Sequence, residues 1–284
     1  MRHGFLLINK PDGITSHDAV AIVRKTLSER DVGHLGTLDP AATGLLVMAV
    51  GKKALKVVQL FQDLTKEYEA DVLFGKVSTT YDREGIIKQF DIGMGWTPPE
   101  HSNLQKIIND RFTGKISQVP PAHSAVHVSG ERAYNKARQG RSVLIPPRMV
   151  DIDRCSILDY AYPHLRLSVA CGSGTYIRSL AHDLGESLHC GAYLAGLKRT
   201  KVGSWSVTSA KSADEAGWSD VIPLKEVLKK FPRRDLTDDE REEIAFGRNI
   251  EAEVAEDTIA WHEDLPVAIL VPASDGTAHA RKVF

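Results

Sequence analysis

Residues Gly33 to Gly44 read GHLGTLDPAATG and run without a break into LLVMAVG, Leu45 to Gly51. The second stretch is a continuous apolar run of strand length, which marks a strand buried on both faces. The first holds a single acid, Asp39, among small residues. Proline at position 40 pushes the backbone of Asp39 towards extended geometry, and Gly33, Gly36 and Gly44 let neighbouring backbones come close. A carboxylate fixed at the tip of such a loop can serve as nucleophile or base. An isolated Leu-Asp-Pro also serves as a turn, with Asp39 as its cap, so the loop alone leaves both readings open.

Around this stretch the periodicity alternates between strand and helix. Phe5 to Asn9 reads as a strand entering the turn KPDGITS, after which Ser16 caps a helix carrying Ala19, Val20, Ile22, Val23 and Leu27 on one face. A further helix is expected from about Lys52 to Leu64. In KEYEADVLFG, Tyr68, Ala70, Val72 and Phe74 alternate with Glu67, Glu69 and Asp71, the pattern of a half-buried strand. Leu104, Ile107, Ile108 and Phe112 mark an amphipathic helix. Strands follow near Val150 to Leu158 and Leu165 to Cys171. In GSGTYIRSLAHDLG, Ile177, Leu180, Ala181 and Leu184 form a core stripe with Arg178 in the first turn. The pattern predicts an α+β fold with a mixed, mostly antiparallel sheet flanked by helices and loops.

Charge divides the chain. It carries 36 Lys and Arg against 37 Asp and Glu, yet Asp235 to Asp264 alone holds 12 acids and two bases. The remaining body is therefore basic and suited to a polyanion, while the acidic run also fits a solvated helix. We place a large domain at 1–230, with a basic, loop-rich insertion at about 118–148 around a short helix, and a small acidic domain at 231–284. Pro266 to Val271 and Thr277 to Val283 supply short strands to that second unit. Cys155, Cys171 and Cys190 are too few and too scattered for a disulfide framework or a zinc site, which suits a reducing cytoplasm. The opening apolar run is too short for a signal peptide, and no stretch is long enough to span a membrane.

Phosphate-cradling loops, dinucleotide fingerprints and metalloprotease motifs are missing, which favours chemistry without a cofactor or metal. If Asp39 must stay ionised when desolvated it needs a cation, and Arg178 is the candidate because guanidinium stays charged and bonds carboxylates in a fork. Read alone, Arg178 is a surface or structural arginine. Tyr68 sits on the apolar face of its strand and Tyr176 two residues before Arg178; each fits the core, or a platform for a base held outside its stack. His34 fits a turn, or a loop-borne imidazole that fills the gap left by an extracted base.

Taken together, NKPDGITS (Asn9 to Ser16), GHLGTLDPAATG, KEYEADVLFG (Lys66 to Gly75) and GTYIRSLAHDLG (Gly174 to Gly185) resemble the bacterial TruB-type tRNA pseudouridine synthases. VPPAHSA with GERAYNKARQG, and LKRTKVGSW (Leu197 to Trp205), extend the resemblance over about Phe5 to Trp205. It implies the pseudouridine synthase sheet, with a C-terminal PUA-like module, and isomerisation of the T-loop uridine of tRNA, position 55. It also implies Asp39 as the catalytic aspartate, Arg178 as its partner, Tyr68 stacked on the target uracil, His34 in the vacated space, Tyr176 lining the pocket and Lys10 with Pro11 supporting the loop and substrate. No cofactor or energy source is implied, since substrate and product are isomers. The T-arm of tRNA would be held by Arg132, Arg138 and Arg141 of the insertion. A cytoplasmic monomer with no obligate protein partner and no membrane contact is expected. Another RNA substrate, or a tRNA-binding and folding role that outweighs catalysis, are the alternatives. The sequence departs from the family pattern at Ser78, His123, His127 and Lys198.

Overall fold

The computed structural model describes residues 3–124, 126–128, 131–132 and 144–284. Its main sheet has ten strands: β1 (Gly4–Lys10), β2 (Val32–His34), β3 (Ala42–Val50), β4 (Lys66–Phe74), β5 (Gly114–Gln118), β6 (Arg148–Ala161), β7 (His164–Cys171), β8 (Ala192–Val202), β9 (Trp205–Ser206) and β10 (Ile222–Pro223). Along the sheet the order is β10-β1-β3-β8-β4-β7-β6-β5, with β2 beside β3 and β9 beside β8. Every neighbouring pair is antiparallel except β3 with β8, where Gly44 faces Arg199 in parallel register. The sheet is therefore mixed and mostly antiparallel, as its alternating strands predict.

Helices cover the sheet where their apolar stripes demand it. Helix α1 (Ser16–Leu27) buries Ala19, Val20, Val23 and Leu27 against Leu6, Ile8, Leu46 and Met48. Its cap lies one residue earlier than the sequence suggests. Thr15, not Ser16, accepts from the Asp18 amide, and the Asp18 carboxylate accepts from the Thr15 amide, closing a capping box. The helix expected over Lys52 to Leu64 is shorter: α2 (Lys52–Val57) tightens into a 3-10 turn, Val58–Phe61, that lodges Phe61 edge-on against Phe5. Helices α3 (His101–Arg111) and α4 (Ile177–Ser187) pack Leu104, Ile108, Ile177, Leu180 and Leu184 with Ala70, Val72 and Phe74 of β4. Tyr68 borders both this cluster and the one under α1, so it sits at the seam between them.

In the basic insertion, short paired strands at His127–Val128 and Glu131–Arg132 are described by their backbone. The short helix expected there falls outside the described residues, as do Arg138 and Arg141.

The acidic segment is more ordered than two strands suggest. A second sheet pairs β11 (Arg233–Asp235), β12 (Ile250–Glu251), β13 (Thr258–His262), β14 (Leu265–Pro272) and β15 (Thr277–Val283) in the order β11-β13-β14-β15-β12, with α6 (Asp238–Ala245) beside it; α5 (Leu224–Leu228) precedes them. Ile259, Trp261 and Ile269 of this sheet share one buried cluster with Phe5, Val47 and Phe61 of the body. Among the described residues no helix is long and apolar enough to cross a membrane.

Candidate active site

Asp39 lies on the loop between β2 and β3, and buried side chains grip the backbone on both sides of it. The Ser16 hydroxyl accepts from the Leu38 amide at 2.9 Å and donates to the Leu38 carbonyl at 3.0 Å. The Lys10 ammonium donates to the carbonyls of Pro11, Ile14 and Pro40 at 2.8, 2.7 and 3.1 Å. Lys10 is fully buried and all three of its protons are taken. It therefore holds the loop from beneath and offers no free donor to a substrate. Of the three glycines, Gly44 is the one a backbone neighbour requires: it has φ +97°, and a Cβ there would stand 2.3 Å from the Arg199 carbonyl oxygen. At Gly36 the same atom would meet only an ordinary contact at 3.6 Å.

The cation expected for Asp39 is in place. Arg178 Nε lies 3.0 Å from Asp39 Oδ2, as a charge contact, and Nη2 donates to Oδ1 at 3.4 Å. The rest of the guanidinium is held by the carbonyls of Thr80 and His123, at 3.3 and 3.0 Å, and by Asp82, whose Oδ2 is 3.4 Å from Nη1. Asp82 is itself fixed, accepting from the Thr80 hydroxyl at 2.5 Å and the Glu84 amide at 2.9 Å. One buried arginine thus stands between two carboxylates.

Burial is the largest influence on Asp39 and raises its carboxyl above the ordinary aspartate value; Arg178 pulls it down and Asp82 pushes it up again. The Asp39 side chain is 39 % exposed and opens into a concavity. That concavity is a cleft of about 870 Å³, lined by the loop, Tyr68, Arg148, Tyr176, Arg178 and Arg199 among others. Its size is that of a site for a small molecule or an extruded nucleotide. Tyr68 stands on the cleft wall, its phenol pushed up by burial. Tyr176 is fixed by its backbone, which donates to and accepts from the Gln118 side chain at 2.8 and 3.0 Å, and by Arg148 stacked 4.8 Å from its ring centroid.

The cleft therefore brings together Asp39, Tyr68, Tyr176 and Arg178. His34, at the end of β2, is not on its wall; it packs edge-on against His17, 5.7 Å between centroids, and His17 is on the wall. Arg132 is described by backbone alone. Three buried groups take roles here that the linear sequence does not reveal, although Ser16 and Arg199 lie in quoted motifs: Ser16 as a loop anchor, Asp82 as second partner of Arg178, and Arg199. The departures at Ser78, His123 and Lys198 leave the carboxylate pair intact. His123 serves Arg178 through its carbonyl, which any residue would supply; Ser78 is buried beside Thr80; Lys198 is exposed.

The family model described as TruB family pseudouridylate synthase, N-terminal domain, matches residues 24–177. A protein named tRNA pseudouridine synthase B from Dehalococcoides mccartyi strain BAV1 is 40 % identical over 293 aligned residues, 99 % of this chain and 96 % of its own length. The protein of that name from Mycobacterium tuberculosis strain H37Rv is 39 % identical over 258 residues, 88 % of this chain and 84 % of its own. Its counterpart from Gloeobacter violaceus is 44 % identical over 232 residues, covering 78 % and 76 %. Among solved structures, a chain of a Cbf5-Nop10-Gar1 complex superposes with a TM-score of 0.72 at 21 % identity, covering 100 % of this chain and 84 % of that one, a likeness of fold.

Proposed function

The chain belongs to the TruB family of pseudouridylate synthases, and we propose that it isomerises the T-loop uridine of tRNA, position 55, to pseudouridine with Asp39 as nucleophile. The observation that carries this reading is the pairing of a carboxylate that opens into a nucleotide-sized cleft with a buried arginine 3.0 Å away. A protein that only binds RNA has no use for a carboxylate whose burial raises its pKa. The target nucleotide leaves the helical stack and enters the cleft, where Tyr68 offers its ring as a platform.

Asp39 forms a bond to the ribose, or to the uracil ring, and the N-glycosidic bond breaks. The uracil turns in place, and its C5 bonds to the anomeric carbon as the link to Asp39 is released. The C5 proton departs and N1 gains one, so the product is an isomer of the substrate and Asp39 is regenerated as carboxylate. Arg178, permanently charged, keeps Asp39 ionised against the pull of burial and aims its oxygens. In this reading the protein acts on the T-arm as a cytoplasmic monomer, and Arg132, Arg138 and Arg141 supply phosphate contacts. Mapping pseudouridine in total tRNA from cells with and without the protein tests it: a loss confined to the T-loop is expected, and an unchanged T-loop with a loss elsewhere would move the substrate to another RNA.

A further inference from the structure

Strand β8 lies between the two halves of this site. In its register Arg199 faces Gly44 of β3 on one side and Tyr68 of β4 on the other. The Arg199 side chain is buried, the residue being 3 % exposed. Its Nε donates to the Leu45 carbonyl at 2.7 Å, Nη2 to Gly36 at 2.9 Å and Nη1 to Thr37 at 3.4 Å. Among the described residues no carboxylate stands within ion-pair distance of it. A buried charge without a counter-ion is expensive. Three carbonyls of the nucleophile loop and strand β3 meet part of that cost. Tyr68, paired with Arg199 across the β4–β8 register, lines the same cleft; burial pushes its phenol up, and the nearby guanidinium charge pulls the other way.

On the function proposed for this site, we propose further that Arg199 is a positioning residue for the isomerisation: one guanidinium fixes the loop that carries Asp39 and orients the hydroxyl of Tyr68. Asp39 sits on the β2–β3 loop and Tyr68 on β4, and among the described residues no hydrogen bond joins their side chains. Arg199 is the group that touches the supports of both. Lysine could keep the charge but not the geometry, because a single ammonium cannot reproduce a planar fork on carbonyls that lie in different directions.

The test is single-turnover conversion of a T-arm RNA by the full chain, with RNA affinity and thermal midpoint measured on the same preparations. Arg199→Gln is expected to bind RNA near the wild-type affinity and to react roughly 100-fold more slowly, the size that follows a displacement of about 1 Å at reacting groups. Tyr68→Phe is expected to slow the otherwise wild-type protein and to add little in the Arg199→Gln background, because the hydroxyl is already misplaced there. A merely structural arginine would leave the cost of Tyr68→Phe unchanged. Should Arg199→Gln fail to fold, Arg199→Lys carries the same expectation with a smaller loss of stability. Equal rates for wild type and both variants, or a Tyr68→Phe cost that is the same in both backgrounds, would overturn the inference. A wild type inactive on the T-arm would instead refute the function on which it rests, and the inference with it.

Discussion

Asp39 is caught between desolvation, which favours its neutral form, and Arg178, which favours the carboxylate. Burial wins, so the acid limb of the reaction should lie above the ordinary aspartate value of 3.8. The sign is fixed: the reactive form is ionised, and the rate falls as pH drops through the raised value. Because the folded state binds this proton more tightly than the unfolded chain, the group's contribution to stability weakens as pH rises through the same range. Single-turnover rates across mildly acidic pH check the first point, and a limb at or below the free-aspartate value would count against it. At Tyr68 the ring and the hydroxyl separate. Tyr68→Phe should keep RNA affinity while slowing the reaction, and Tyr68→Leu should lose both, with base stacking worth roughly 1–3 kcal/mol. A Tyr68→Leu protein with normal turnover would remove the platform. At this scale Asp39, Tyr68 and Arg178 are legible in the sequence because each lies in a motif. Ser16 and Arg199 also lie in quoted motifs, but their supporting roles, like that of Asp82, arise only when segments far apart in sequence are brought side by side.

The β2–β3 loop with α1 is the element that makes Asp39 usable. Ser16 meets both backbone groups of Leu38, the residue just before Asp39. Ser16→Ala leaves that amide and carbonyl buried and unpaired, at about 1–3 kcal/mol. It is therefore expected to lower the thermal midpoint and the single-turnover rate together, while Thr15 keeps α1 capped and helicity by circular dichroism stays near normal. A rate unchanged by Ser16→Ala would show that the loop is held without it. Sequence places these elements through their periods of 2 and 3.6, which survive because each buries one face. It misassigns the cap because Thr15 and Ser16 are chemically alike, and only the approach of Leu38 decides which hydroxyl goes where. It overruns α2 because Phe61 leaves the helical path to join Phe5, a neighbour no local period encodes.

Across the whole molecule, charge and packing pull the C-terminal unit in different directions. Residues 231–284 hold 13 acids against six bases, some of them paired, as Arg234 is with Glu240 at 2.6 Å and Arg281 with Asp257 at 2.6 Å. Phosphate contacts should therefore come from the body. Replacing Arg132, Arg138 and Arg141 by alanine should weaken tRNA binding and flatten the slope of log K against log salt by about 0.7–0.9 for each phosphate no longer neutralised. An unchanged slope would place the phosphate-binding bases elsewhere. The same unit cannot simply be removed. Ile259, Trp261 and Ile269 complete a core with Phe5 and Phe61, and each large side chain buried there contributes about 1.5–3 kcal/mol. Ending the chain after Pro232 is expected to lower the thermal midpoint of what remains. The acidic composition hides this, because TIAWH, the strand that docks, is a short apolar run inside a charged stretch. The central claim, that the molecule is an isomerase whose nucleophile is Asp39, is tested most directly by single-turnover conversion of a T-arm RNA by wild type and Asp39→Asn, with enzyme in excess. Asparagine keeps the size and the turn but is a poor nucleophile. The account predicts that Asp39→Asn folds, binds the RNA near wild-type affinity and forms no pseudouridine. Isomerisation by an Asp39→Asn preparation shown by mass spectrometry to be free of deamidation would contradict it.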